Sequence, residues 1–286
     1  MTSFALTLVL VAAALHATWN LLAKRAQGGI AFIYLYFVGA CVLYAPVVAV
    51  ATYLHPPHLG PIAIAFIIGN GVLHLIYFTL LQRGYQIGDL SLVYPLARGT
   101  GPLLATVAAI VFFGERPSPV ALSGVLLIIG GVFLASGLHV ARDARTRLSV
   151  AYGLATGTTI AAYTLWDKHA VAALAISPIV YDYWGNIART VLTTPLVAGR
   201  RAEMAEAWRR YKWEALGIAL LSPLAYLLVL WALIWTPVSY VAPARELSIL
   251  FGTLLGVHVF SERGRARARF AGAGLMLAGI VALARG

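Results

Sequence analysis

The stretch Leu90–Arg116 reads LSLVYPLARGTGPLLATVAAIVFFGER, an apolar run that contains Arg98 and is long enough to cross a membrane as a helix. A second copy, Tyr240–Arg263, reads YVAPARELSILFGTLLGVHVFSER. When Arg98 is aligned with Arg245, the Glu-Arg pair that closes each run also aligns, with no gap. The sequence therefore predicts two related, proline-broken helices, each with an internal arginine, in a duplicated membrane protein.

The composition indicates that lipid is the solvent for most of the chain. Of the 286 residues, 61% are hydrophobic and 11% are charged, whereas about a quarter of the residues in a soluble domain are charged. The net charge of +11 does not indicate nucleic-acid binding, because the basic residues lie in short gaps between apolar runs. The single cysteine, Cys41, excludes an intramolecular disulfide and a multi-cysteine metal site. We expect no cofactor, metal ion or nucleic-acid partner.

Ten apolar segments are long enough to span the hydrocarbon core, which needs about 20 residues of helix. The connections between them are short, and several contain proline. The segments lie at 3–23, 30–53, 61–82, 89–113, 118–138, 149–168, 177–198, 213–235, 238–260 and 267–285. The only long connection, at 199–212, has basic ends and is typical of a short interfacial helix. The predicted fold is an all-α integral membrane protein with ten transmembrane helices.

The distribution of positive charge predicts the orientation in the membrane. Fifteen of the 21 lysine and arginine residues lie in connections that follow odd-numbered segments, and three lie in the even connections and the C-terminal end. Basic residues concentrate on the cytoplasmic side of a membrane, so the odd connections are predicted to be cytoplasmic and both termini periplasmic. We expect a multi-pass protein of the bacterial cytoplasmic (inner) membrane.

The internal repeat divides the chain into residues 1–138, a cytoplasmic connection at 139–148, and residues 149–286. Each half contains five segments, and an odd number forces the second half to insert upside down relative to the first. The match also includes ATWNLLAK at 17–24 opposite AAYTLWDK at 161–168. Inverted repeats are typical of secondary transporters, whose substrate binds near the midplane between the halves. The sequence thus predicts two inverted five-helix repeats around a central cavity.

Three stretches resemble the drug/metabolite transporter superfamily, specifically its ten-helix EamA-type members. They are HATWNLLAKR near the start, YPLARGTGPLLATVAAIVFFGER in the fourth segment and APARELSILFGTLLGVHVFSER in the ninth. The resemblance covers essentially the whole chain and implies a ten-helix basket with a central cavity. Members of the superfamily move amino acids, sugars, sugar phosphates, choline-like amines and drugs. The resemblance therefore implies transport and no specific cargo.

Arg98 and Arg245 are the strongest candidates for substrate contact. A charged side chain at the bilayer centre costs about 3 kcal/mol, so it usually faces a cavity or a partner. The guanidinium fork suits a carboxylate or a phosphate, which favours an anion clamp. In phosphate-translocating relatives, basic residues on the fourth and ninth helices hold the anion, and this arrangement resembles them. The alternative is an internal ion pair, such as Arg245 with a carboxylate on another helix.

Further polar and aromatic side chains complete the predicted site. His74 and Tyr77 share one face of the third segment, and aromatic rings can sandwich a planar or cationic group. Glu246 is expected either to pair with a residue such as Arg189 or to titrate as a proton-coupling group. Asp182 and Arg189 share a face and mark a polar pathway or pair with neighbours. The predicted substrate-binding residues are Arg98, Arg245, His74, Tyr77, Tyr94, Tyr163, Trp19 and Asn20, and the predicted coupling or gating residues are Glu246, Asp182 and Arg189.

The leading hypothesis is a secondary active transporter of a small polar metabolite with an anionic group, working by alternating access. The cargo is an amino acid, an organic acid or a phospho or phosphonate compound. The alternative is an exporter of aromatic or cationic compounds or drugs, in which the arginines are structural. An enzyme is not expected, because the sequence contains no HExxH, GxSxG, CxxC or GxxxxGK[ST] motif. The expected partners are a small-molecule substrate and the lipid bilayer, and we expect a functional monomer.

Overall fold

A computed structural model describes residues 1–26, 29–57, 59–87, 90–136, 144–251 and 266–286. Over these residues the regular structure is helical and contains no strand, which confirms the predicted all-α class. The helices are α1 (Ser3–Ala26), α2 (Ile30–Leu54), α3 (Pro61–Ile87), α4 (Leu90–Phe113), α5 (Pro119–Ser136), α6 (Ala144–Lys168), α7 (Pro178–Val197), α8 (Arg201–Trp235), α9 (Val238–Ala244) and α10 (Ala266–Arg285). A π-helical segment, His169–Ala173, extends α6.

Several of these helices have the length and composition of membrane spans. Within the described ranges, five contain stretches that are long and apolar enough to cross a membrane, and they lie in α1, α2, α3, α4 and α8. Apolar stretches in α5 and α10 are shorter. Many large apolar side chains on these helices are exposed, as a lipid-facing surface requires, for example Val50, Val111 and Leu126. The chain is therefore an integral membrane protein, and the full set of ten spans remains a prediction.

The basic connection predicted at 199–212 is helical and joins the eighth segment. α8 begins at Arg201 and runs to Trp235, with a non-helical backbone conformation at Tyr211 (φ −131°, ψ 24°) where its direction changes. Trp208 and Trp213 on either side of this kink are exposed. Tryptophan is common at the membrane–water interface, so the kink divides an interfacial part from a spanning part.

The two repeated arginine segments differ in their backbones, which corrects the prediction of two broken helices. α4 runs without interruption through Pro95 and Pro102. The ninth segment is broken: α9 ends at Ala244, and the Glu246 amide donates to the Pro243 carbonyl at 3.0 Å instead of continuing the α-helical pattern. Helical backbone resumes at 247–251, and residues 252–265 lie outside the described part of the chain. The second glutamate–arginine pair of the repeat lies there.

Several helix contacts recur when the first and second halves are exchanged. In the repeat, α1 corresponds to α6, α2 to α7 and α3 to α8. α1 packs on α8, and α6 packs on α3 in the same way. α2 also packs on α8, and α7 packs on α3 in the same way. The pairs α2–α7, α4–α9 and α5–α10 each join a helix to its own counterpart. The candidate functional site lies where α3, α4, α6, α7 and α8 meet the turn that follows α9, which we call the α9 turn.

α5 and α10 approach closely because glycines face each other. A Cβ atom on Gly131 would lie 2.6 Å from the Gly272 carbonyl oxygen, and one on Gly279 would lie 2.7 Å from the Gly124 carbonyl oxygen. Such contacts leave no space for a side chain. Gly130 differs from its neighbour, because a Cβ there would meet no described atom within 4 Å. Close packing thus depends on one face of each helix.

Candidate functional site

A buried ion pair joins α4 to the turn after α9. The Arg98 Nε atom lies 2.7 Å from Glu246 Oε2, and both side chains are less than a tenth exposed. The Arg98 Nη2 group also donates a 2.8 Å hydrogen bond to the Ser248 hydroxyl. Glu246 therefore neutralises Arg98, and the expected pairing of Glu246 with Arg189 is wrong. The break in the ninth segment places Glu246 and Ser248 on the side that faces α4.

Arg245 has no carboxylate within ion-pair distance among the described residues. Its guanidinium carbon lies 5.9 Å from the centre of the Tyr163 ring, and its Nη2 group donates a long, 3.4 Å hydrogen bond to the Tyr163 hydroxyl. Arg245 is only partly buried, whereas Tyr163 is 4% exposed. Neighbouring residues in a helical turn point in different directions, which explains why Glu246 pairs with Arg98 instead. The alternative of a structural ion pair therefore describes Arg98, and Arg245 retains its charge.

Four aromatic side chains next to Arg245 pack in a connected group, which we call the aromatic cluster: His74, Tyr77, Tyr163 and Tyr226. The His74 ring stacks on Tyr163 with centres 4.4 Å apart, and Tyr77 meets Tyr163 edge to face at 5.7 Å. The Tyr226 ring meets His74 edge to face at 5.4 Å. Three of the predicted residues thus lie together beside Arg245. The structure brings them from α3 and α6, and α8 contributes Tyr226.

A second buried group, the Asp167 cluster, was not predicted. It consists of Asn70, Asp167, Tyr181 and Tyr226, from α3, α6, α7 and α8. Asp167 is 1% exposed and accepts hydrogen bonds from Tyr181 (2.8 Å), Asn70 (3.0 Å) and Tyr226 (2.6 Å). The signal that could have found it is a carboxylate within the sixth apolar segment, where an ionisable residue marks a functional site by default. The adjacent Lys168 lies at the predicted end of this segment, so Asp167 resembled part of the polar connection that follows it.

Asp182 and Arg189 pair with each other on α7. The Arg189 Nη2 atom lies 3.2 Å from Asp182 Oδ1, and both side chains are largely buried. Asp182 also lines a small, mostly apolar cleft between α2, α7 and α8, together with Asn186 and Tyr44. Asp182 and Arg189 thus form an ion pair with each other, and the polar pathway stays a prediction.

Trp19, Asn20 and Tyr94 are not brought into contact with the aromatic cluster. Trp19 packs on a separate apolar cluster between α1, α2 and α8 and touches His16, with ring centres 4.7 Å apart. The Asn20 side chain is exposed and donates to the His16 carbonyl of its own helix at 2.7 Å. Tyr94 on α4 is 36% exposed. Their role in substrate binding stays a prediction.

Two charged side chains hold the turn between α8 and α9. The Glu115 carboxylate accepts hydrogen bonds from the Val238 and Ser239 amides at 2.7 and 2.9 Å, which caps the first turn of α9. The Lys168 ammonium donates to the Leu233 carbonyl at 2.7 Å at the end of α8. Carboxylates at helix N-termini and ammonium groups at C-termini are both stabilising. The glutamate that closes the fourth segment therefore positions the start of the ninth.

Apolar helices arranged around buried ion pairs and aromatic side chains define a polytopic membrane protein with a polar interior. Residues 3–137 match the EamA-like transporter family. This match to the first half of the chain agrees with the resemblance predicted from the sequence. It also agrees with the prediction of a membrane transporter that is not an enzyme.

Two further similarities agree with this assignment. A 74-residue stretch is 32% identical to the Multidrug transporter PA4990 of Pseudomonas aeruginosa (strain ATCC 15692 / PAO1). This stretch is 26% of the present chain and spans 64% of the length of that relative. A solved crystal structure shares the fold over 99% of both chains with a TM-score of 0.78, at 14% sequence identity. At that identity the likeness concerns the fold alone.

Proposed function

We propose that this protein is a secondary active transporter of a small polar metabolite with an anionic group, acting by alternating access in the bacterial inner membrane. The candidate cargoes are amino acids, organic acids and phospho or phosphonate compounds. The observation that carries the proposal is the position of Arg245: a guanidinium that faces an aromatic cluster and has no carboxylate within ion-pair distance among the described residues.

The two arginines are assigned different roles. The Arg98 guanidinium is neutralised by Glu246 and donates a hydrogen bond to Ser248, so its N–H groups already have partners within the protein. Arg245 keeps an unneutralised charge beside Tyr163, and a buried or half-buried charge at this depth is costly unless a ligand or water satisfies it. A carboxylate or phosphate on the cargo would provide two acceptor oxygens for the guanidinium. Arg98 then supports the site by holding the α9 turn in place.

The aromatic cluster supports an organic cargo. His74 and Tyr77 extend the wall that Tyr163 forms beside Arg245, and their rings are half-buried. Ligand sites combine such apolar walls with a few polar groups that fix orientation. An anion with a carbon skeleton would place its charge on Arg245 and its body against these rings.

The exchangeable helix contacts support alternating access. The α1–α8 and α3–α6 pairs replace each other when the halves are exchanged, and α4–α9 joins the two segments that carry the site. In transporters with inverted repeats, the two conformations arise when each half adopts the packing of the other around a site near the midplane. Arg98, Glu246 and Arg245 lie at such an interface between the halves.

Ligand-dependent thermal stability of the purified protein tests the proposal. A library of amino acids, organic acids, phosphates, phosphonates and quaternary amines is screened against the wild type, Arg245→Ala, Arg245→Lys and Arg209→Ala, an exposed arginine that serves as the control. A ligand at a hundred times its Kd stabilises the folded state by about 2.7 kcal/mol. We expect an anionic ligand whose shift is lost in Arg245→Ala, weakened in Arg245→Lys and kept in Arg209→Ala. An anion whose shift survives Arg245→Ala contradicts the proposal.

A second candidate function is export of aromatic or cationic compounds. The aromatic cluster can stack on a planar cation, and the relative with the 74-residue match is named a multidrug transporter. In that case quaternary amines or aromatic cations give the only thermal shifts, Arg245→Ala keeps them and Tyr163→Ala loses them. The same screen therefore separates the two candidates.

A further inference from the structure

Asp167 differs from the other carboxylates at the centre of the bundle. Glu246 lies against Arg98 and Asp182 lies against Arg189, whereas no lysine or arginine comes within ion-pair distance of Asp167 among the described residues. Asp167 is nonetheless 1% exposed. A buried charge without a counter-ion is among the most expensive arrangements in a membrane protein.

The hydrogen bonds around Asp167 leave one defined place for a proton. Oδ1 accepts from Asn70 Nδ2 and from the Tyr181 hydroxyl, while Oδ2 accepts only from the Tyr226 hydroxyl. All three partners donate hydrogen to the carboxylate, so they do not form the set of acceptor oxygens that a metal cation requires. One lone pair of Oδ2 remains free, and it can take up a proton.

We propose that Asp167 is a proton-binding site that couples transport to the proton gradient, and this inference rests on the proposed function. On proton uptake the carboxylate becomes a neutral carboxyl group with the hydrogen on Oδ2, and on release it regains its charge. The sequence left two roles open for Glu246, an ion pair or proton coupling, and Glu246 pairs with Arg98. Our proposal therefore places the coupling role on α6 instead of α9.

Charged and titratable groups near Asp167 lie on α3, α7, α8 and the turn that follows α9. Tyr181, Asp182 and Arg189 lie on α7, His74 on α3, Tyr226 on α8 and Arg245 on the α9 turn. The His74 Nδ1 atom lies 2.9 Å from the Asn70 carbonyl oxygen. Lys168, the next residue in the chain, donates to the Leu233 and Thr236 carbonyls and faces away from the cluster. These groups influence Asp167 through charge, and only neutral groups bond it directly.

Protonation changes how the two halves are held together. Asn70 Nδ2 donates to Asp167 Oδ1 and also to the Tyr226 hydroxyl oxygen, at 3.0 and 2.8 Å, so the first half is bonded to the second at two points. A neutral carboxyl group accepts weaker hydrogen bonds from Asn70 and Tyr226 than the charged carboxylate does. Proton uptake on the free lone pair of Oδ2 would therefore weaken the bonds that join α3, α6 and α8. Proton uptake thereby favours a different packing of the halves.

The same contacts connect the proton site to the proposed anion site. Tyr226 bonds Asp167 and touches His74, His74 stacks on Tyr163, and Tyr163 bonds Arg245. A contiguous set of packed and hydrogen-bonded side chains can couple two sites when it has two arrangements. Cargo bound to Arg245 and a proton bound to Asp167 would each favour one of the two arrangements of these connected side chains.

Infrared difference spectroscopy tests proton binding without any knowledge of the cargo. Wild type, Asp167→Asn and the control Asp182→Asn are reconstituted in liposomes, and spectra are recorded while the pH is cycled. We expect wild type to show a reversible carbonyl band of a protonated carboxyl group that is absent in Asp167→Asn and present in Asp182→Asn. A band that is unchanged in Asp167→Asn, or wild-type spectra in which no such band titrates, overturns the proposal.

A second variant covers the case in which Asp167→Asn does not fold. Tyr226→Phe keeps the Asp167 carboxyl and removes the one hydrogen bond to Oδ2, so it must move the pH midpoint of the same band. An unmoved midpoint overturns the proposal. Once the thermal screen has supplied a cargo, Asp167→Asn is expected to lose at least tenfold in uptake driven by a pH gradient while it retains cargo exchange at equal pH. If no cargo is found, the proposed function fails and the infrared result still decides whether Asp167 binds a proton.

Discussion

The guanidinium of Arg98 and the carboxylate of Glu246 form a buried ion pair, with Nε and Oε2 2.7 Å apart. This pair joins the fourth segment to the ninth, its counterpart in the repeat. It removes Arg98 from the set of free charges at the centre of the bundle and leaves Arg245 as the arginine that faces the aromatic cluster.

Removal of Arg98 should destabilise the fold. Arg98→Ala leaves the Glu246 charge buried without its partner, and breaking a buried pair in this way costs roughly 3–5 kcal/mol. The free energy of unfolding in an SDS titration measures the loss. The double variant Arg98→Met/Glu246→Met removes both charges and should be clearly more stable than Arg98→Ala. A double variant as unstable as the single one would show that the charge is not the cause.

Removal of Arg245 should affect ligand binding far more than stability. Its contacts are a 3.4 Å hydrogen bond and a cation–π contact with Tyr163, and a cation–π contact contributes about 0.5 kcal/mol when exposed and about 2 kcal/mol when desolvated. Arg245→Ala should therefore change the free energy of unfolding by less than about 2 kcal/mol. Arg98→Ala in the same titration is the comparison. Equal destabilisation by the two variants would contradict the division of roles.

Removal of Glu115 should loosen the start of α9. Its carboxylate caps the Val238 and Ser239 amides, and loss of a helix cap costs about 0.5–2 kcal/mol. Hydrogen exchange followed by mass spectrometry should show faster exchange in the peptide that covers 238–244 in Glu115→Ala. Glu203→Ala, which removes an exposed partner of Arg200, is the control and should leave that peptide unchanged. Unchanged exchange in Glu115→Ala would mean that the cap does not hold the turn.

The two adjacent glycines of α5 should respond in opposite directions. Gly131→Ala places a methyl group 2.6 Å from the Gly272 carbonyl oxygen, and overpacking of this kind costs about 1–3 kcal/mol. Gly130→Ala meets no described atom within 4 Å and should stabilise the helix by up to about 1 kcal/mol, because alanine is the better helix former. An SDS titration of both variants checks the difference. Equal effects would mean that α5 and α10 do not pack closely at Gly131.

The central pair of arginines could be predicted because it follows from the chain itself. An arginine inside an apolar run must face a cavity or a polar partner, because exposure of its charge to lipid is costly. The gap-free alignment of Arg98 with Arg245 identifies the two as counterparts. His74 and Tyr77 were also predictable, since a spacing of three residues puts them on one helix face. The structure places both beside Tyr163.

The partners of these residues could not be predicted in the same way. Whether Glu246 meets Arg98 or Arg189 depends on how each helix is rotated about its axis, and no local pattern specifies that rotation. The break after Ala244 turns Glu246 toward α4, while α4 stays continuous through its own prolines. Asp167 was missed for the related reason that its partners come from three other helices: Asn70 from α3, Tyr181 from α7 and Tyr226 from α8.

The amino-acid sequence was sufficient to predict an α-helical membrane protein that resembles the EamA type, with an arginine in each of two similar segments. Hydrophobic length, positive-charge bias and internal repetition are properties of the chain, and the bilayer enforces them because unpaired backbone groups are too costly in lipid. The tertiary structure was needed to show that Arg98 pairs with Glu246, whereas no carboxylate lies within ion-pair distance of Arg245 among the described residues. Ion pairing acts over a few ångströms, so this choice is set by helix rotation and by packing between segments that lie far apart in the sequence.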